Sequence, residues 1–145
     1  MKYYIYTFAT FCCFLAVSYG QSDMEGIRRN CHFQANLATI ALDAQIKGAA
    51  GVEKGLAKSD EEIACIDNER RKAAEEGVTV VAETVGKIIP EVDALVFKND
   101  QNEIDVFLKR TDYPAYKKSA MEAFKAKLKT WVPLVQSRMT KCRGE

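Results

Sequence analysis

Apolar residues recur every three or four positions along most of this 145-residue chain, and no stretch alternates apolar with polar residues. That is the period of amphipathic helices rather than of half-buried strands. The first twenty residues, MKYYIYTFATFCCFLAVSYG, depart from the pattern. They hold one Lys, no acid, an apolar run from Tyr3 to Val17 and then the small residues Ser18 and Gly20, which together read as a secretory signal peptide with cleavage near Gln21. The run is shorter than the roughly 20 apolar residues of a membrane span. The expected organisation is a signal segment, 1–20, and a single helical domain, 21–145.

Within that domain, Ile27, Cys31, Ala35, Ala38 and Leu42 form one stripe of a first helix, with Phe33, Leu37, Ile40 and Ala44 beside it. Gly48 is expected to end it near Lys47, leaving GAAGVEKG as a loop. Ser59 and Glu62 form a capping box for a second helix. Its apolar positions run through Val78, Val81, Val85, Ile88 and Ile89 until Pro90 closes it, with a bend plausible at Gly77. A short segment around Val92, Leu95 and Val96 follows, then a helix capped by Asp100 and Glu103. Asp112 and Pro114 suit the cap and first turn of the last helix. Its buried stripe is Met121, Phe124, Leu128, Trp131, Val135 and Met139, and Pro133 should kink rather than end it. The fold class is all-α, a compact bundle of four to six helices with long first and last helices.

Three cysteines remain after the signal segment, Cys31, Cys65 and Cys142, so at most one internal disulfide forms. If the first and last helices run antiparallel, Cys31 meets Cys142, closing a loop worth about 4–5 kcal/mol on a chain-entropy estimate. Cys65 is then free, or is the alternative partner of Cys31. A leftover thiol also allows a disulfide-linked dimer.

Charge narrows the function classes. Without Lys2 the domain has equal numbers of basic and acidic side chains, which argues against nucleic-acid binding. The charges are segregated: residues 60–105 hold 13 acids and 5 bases, whereas residues 106–145 hold 10 bases and 3 acids. Lys118, Lys125 and Lys129 fall along one flank of the last helix, and Arg143 returns to the same side if the Pro133 kink is small. Such a flank would steer the protein toward an acidic protein face, a sulfated glycan or an anionic membrane, although lysines also bracket the apolar stripe of any solvated helix. Tyr113 and Tyr116, beside Pro114, are a second candidate contact.

Catalytic chemistry is poorly provided for. His32 is the single histidine, so the common zinc spacings and an HExxH site are absent. GAAGVEKG lacks the Gly-Lys-Ser/Thr ending of a phosphate loop. The pairs Glu61/Glu62 and Glu75/Glu76 diverge on a helix, and the acids show no calcium-loop spacing. The expectation is a secreted, extracellular protein that is not an enzyme and needs no cofactor or metal.

The signal segment, the start QSD leading into IRRNC, and ATIALDAQI followed by the Ser-Asp-Glu-Glu box resemble the anophensin and albicin family of anopheline mosquito saliva. That resemblance implies a helical, disulfide-tied fold and interference with host plasma cascades, through the complement convertase or contact activation. It assigns no functional residue to a position. The expected function is therefore a secreted binding or inhibitory protein acting on a host plasma protein or an acidic protein or glycan surface. The alternative is a helical carrier of a small hydrophobic ligand, without the six-cysteine framework of insect odorant-binding proteins.

Overall fold

A computed structural model describes residues 3–144, with side chains from residue 23 onward. The expected signal segment, 1–20, lies outside the described side chains. Five α-helices follow in order: α1 Tyr3–Leu56, α2 Asp60–Glu83, α3 Ile89–Lys98, α4 Gln101–Arg110 and α5 Tyr113–Lys141. The all-α bundle expected from the periodicity is what the chain forms, with long first and last helices and one disulfide. Among the described residues no helix is long and apolar enough to cross a membrane.

The caps are those the sequence encodes. Ser59 Oγ accepts from the Glu62 amide at 3.2 Å, while the Glu62 carboxylate reaches back to the Lys58 amide at 2.7 Å, one residue earlier than in a standard capping box. Asp100 accepts from the amides of Asn102 and Glu103, and Asp112 from that of Ala115. Asn99 closes α3 in the left-handed conformation, φ 55°.

Two boundaries differ from expectation, because tertiary packing or proline position outweighs local propensity. Helix α1 does not stop at Gly48 but runs on to Leu56. Ala49, Ala50 and Glu53 are buried there, and their packing offsets the roughly 1 kcal/mol that each mid-helix glycine costs relative to alanine. Helix α2 runs unbroken through Gly77; a Cβ at that position would lie 2.4 Å from Leu42 Cδ2, so the glycine lets α1 and α2 approach closely. Pro90 does not close α2 but sits in the first turn of α3, where its missing N–H costs nothing. Pro133 lies inside α5, which continues to Lys141 as expected.

The helix directions decide the rest. Cys31 and Asn30 of α1 meet Tyr113 at the start of α5, whereas Glu53, near the end of α1, meets Gln136 and Arg143 near the end of α5. Helices α1 and α5 are therefore parallel, not antiparallel. Helix α2 returns against both, and the short α3 and α4 form the base from which α5 climbs again. The expected Cys31–Cys142 bond is thereby corrected: those cysteines lie at opposite ends of the bundle, and Cys142 instead bonds Cys65, with Cα atoms 5.7 Å apart. Cys31 is a buried free thiol, so among the described residues no accessible thiol is left for a disulfide-linked dimer.

Two hydrophobic clusters stack along the bundle. The larger joins Ala38, Leu42 and Ile46 to Ile66, Val80, Phe124 and Met139. The smaller, at the base, joins Met24 and Cys31 to Val92, Leu95, Ile104 and Phe107.

Candidate interaction surface

Helix α5 carries seven basic side chains and one acid, Glu122. Of these, Lys118, Lys125 and Lys129 project into solvent on one flank, as the helical wheel predicts. Lys118 and Lys125 border an open groove of about 560 Å³ that has Met121 on its floor and Gln34 of α1 opposite. Among the described residues neither these three nor Lys117 or Lys127 makes an ion pair, whereas most other basic side chains do. Glu122 stands among the lysines without closing on any of them.

Arg143 does not join this flank. It turns inward to Glu53 at 2.9 Å, and Glu53 also accepts from Gln136 at 3.3 Å. Glu53 is the one buried charged residue among those described, 3% exposed, so the pair serves to tie the end of α1 to the end of α5. Arg138 likewise points inward, holding Glu76 at 2.7 and 3.0 Å and approaching Glu69 at 3.4 Å. Its guanidinium holds the Glu76 carboxyl below the usual range.

The tyrosines are not an exposed contact either. The Tyr113 hydroxyl accepts from the Cys31 thiol at 3.6 Å and donates to Asn30 Oδ1 at 2.8 Å; burial, then the thiol, raises its pKa well above the ordinary value. Tyr116 is half-buried, its hydroxyl enclosed beside Ile88, and burial raises its pKa as well. Burial also pushes the Cys31 thiol up, against the hydrogen bond to Tyr113. These groups seal the base of the bundle around α1, α3 and α5.

His32 faces Asp93 through Nε2, at 2.9 and 3.1 Å from the two carboxylate oxygens, and Arg28 Nε donates to the same carboxylate at 2.9 Å. These contacts, His32 first, hold the Asp93 carboxyl low. The cluster is an ion-pair tie between α1 and α3. Among the described residues no three His, Cys, Asp or Glu side chains are grouped to hold a metal.

The chain is 58% identical over 132 residues to venom protein family 1 protein 1 of the assassin bug Platymeris rhadamanthus, an alignment covering 91% of this chain and 94% of that protein. It belongs to venom protein family 1. A second family member from the same insect, protein 2, is 32% identical over 119 residues, covering 80% of this chain and 78% of its own. No protein-family model matches the chain, and no solved structure matches it. Membership of this family overturns the resemblance to the mosquito anophensin and albicin proteins, and the expectations of complement or contact-pathway interference rested on that resemblance.

Phe33, Leu37, Ile40 and Ala44, the apolar positions beside the first stripe of α1, are exposed to solvent. Periodicity alone does not choose between two adjacent apolar stripes; the buried one is settled by where Gly77 of α2 admits Leu42.

Proposed function

We propose that the protein is a secreted venom component that acts by non-enzymatic binding, engaging an acidic macromolecular surface through the Lys118–Lys125–Lys129 flank of α5. Kinship with assassin-bug venom proteins and the signal-like first twenty residues support secretion. The observation that carries the binding site is the contrast in pairing: these lysines are exposed and lack carboxylate partners among the described residues, while Arg138 of the same helix and Arg143 just beyond its end are taken up by α2 and α1. Unpaired like charges along one flank attract polyanions and raise encounter rates. A small-ligand carrier is less well supported. A hollow of about 660 Å³ between the residue 23–30 stretch of α1 and the α4–α5 junction is an open groove in which a ligand would stay wet.

Immobilised heparin tests the reading directly. The protein should be retained and released by salt, and replacing Lys118, Lys125 and Lys129 together with alanine should weaken binding roughly tenfold at physiological ionic strength. Identical salt elution of the two proteins would refute the proposed surface.

A further inference from the structure

The outward face of α1 is almost free of charge for more than six turns. Phe33, Leu37, Ile40, Ala44, Gly48, Gly51 and Gly55 succeed one another on it, and all seven are exposed. Their spacings are four, three, four, four, three and four, the same from either end. Two eleven-residue blocks keep such a line nearly straight along the helix, at about 3.67 residues per turn. Its first half is bulky and its second half is glycine.

The glycines have no internal purpose. A Cβ at Gly48, Gly51 or Gly55 would meet nothing within 4 Å, and none of the three has a positive φ. Each lowers helix stability by about 1 kcal/mol relative to alanine and exposes backbone. In contrast to Gly77, nothing inside the molecule uses the space they leave.

We infer that α1 is a two-fold interface, at which a second copy of this chain packs its own α1 antiparallel across Ala44. In that arrangement Ala44 meets Ala44, Ile40 meets Gly48, Leu37 meets Gly51 and Phe33 meets Gly55. Every large side chain thus finds a glycine opposite, as knobs find holes, over a seam about 33 Å long. Two-fold contacts are self-complementary in this way. Charge agrees with shape. The flank beside Ala44 carries Asp43 and Lys47, paired at 2.6 Å within the helix. The two-fold sets the acid of one copy beside the base of the other. A lipid surface fits the same face less well, because half of it has no side chains to insert. The seam is narrow, so association belongs in the weak, concentration-dependent range. The inference stands apart from the lysine flank and does not depend on it.

Sedimentation of the purified protein from about 1 µM to about 1 mM reads the equilibrium over the range expected of such a contact. A monomer–dimer transition is expected. Gly51→Leu should weaken dimerisation at least tenfold while keeping the helical circular dichroism, and the double variant Leu37→Gly/Gly51→Leu should restore it by exchanging knob and hole. A protein monomeric throughout, or a Gly51→Leu variant that dimerises as well as the parent, overturns the interface. Binding to phosphatidylcholine vesicles that strengthens in Gly51→Leu would assign the face to lipid instead and equally overturn it.

Discussion

Gly77 and Gly48 both lie inside helices, yet they answer to different physics. At Gly77 a methyl group would press on Leu42, which is 3% exposed and enclosed by the larger cluster, so Gly77→Ala should destabilise by about 1–2 kcal/mol despite its better helix propensity. At Gly48 the methyl group meets nothing, and Gly48→Ala should stabilise by about 0.5–1 kcal/mol. Urea unfolding of both variants at micromolar concentration checks the opposite signs; equal signs would mean that the α1–α2 approach is looser than described. The sequence marks both residues alike, as candidate breaks. Only the neighbour across the interface separates a glycine needed for close approach from one left open.

At the scale of helices, what could be read from the chain was local. Ser59, Asp100 and Asp112 cap where their side chains and spacings place them, because a cap involves residues two or three apart. Helix direction was not legible, since a local pattern marks the two short segments at the base but not how they turn the chain, and that turn sets the course of α5 and the cysteine that Cys142 can reach. The end of α1 depends on the same long-range geometry through Glu53 and Arg143. These partners are unequal: Glu53 is enclosed in the helix, whereas Arg143 lies beyond the end of α5 and can swing into water. Arg143→Ala should therefore cost about 3 kcal/mol by stranding the carboxylate, and Glu53→Ala about 1–2 kcal/mol. Thermal unfolding of the two variants, with the Cys65–Cys142 bond intact, gives the order; a larger loss for Glu53→Ala would contradict it.

For the whole molecule, ion pairs between acids and bases join the helices, and a run of lysines on α5 stays unpaired outside. Asp67, Glu76 and Asp93 are each held below their ordinary pKa by hydrogen bonds to Lys54, Arg138 and His32 with Arg28. A lowered folded pKa contributes stability that is present above the unfolded value, near 4, and is lost as pH falls through the folded value. Stability measured by urea titration should therefore decline below about pH 4, and the triple variant Asp67→Asn/Glu76→Gln/Asp93→Asn should flatten that decline. The basic flank of α5 was legible as a wheel pattern, because exposed lysines report their own periodicity. Which cations the acids would claim was not, and Arg143 was lost to Glu53 for that reason. The measurement that bears most directly on the proposed action compares two charge-matched variants on immobilised heparin. One replaces Lys118, Lys125 and Lys129 with alanine, and the other replaces Lys58, Lys87 and Lys109, which are exposed and scattered over other parts of the chain. Retention lost in the first and kept in the second is the expected result; equal loss in both would show that net charge, not the α5 flank, governs binding.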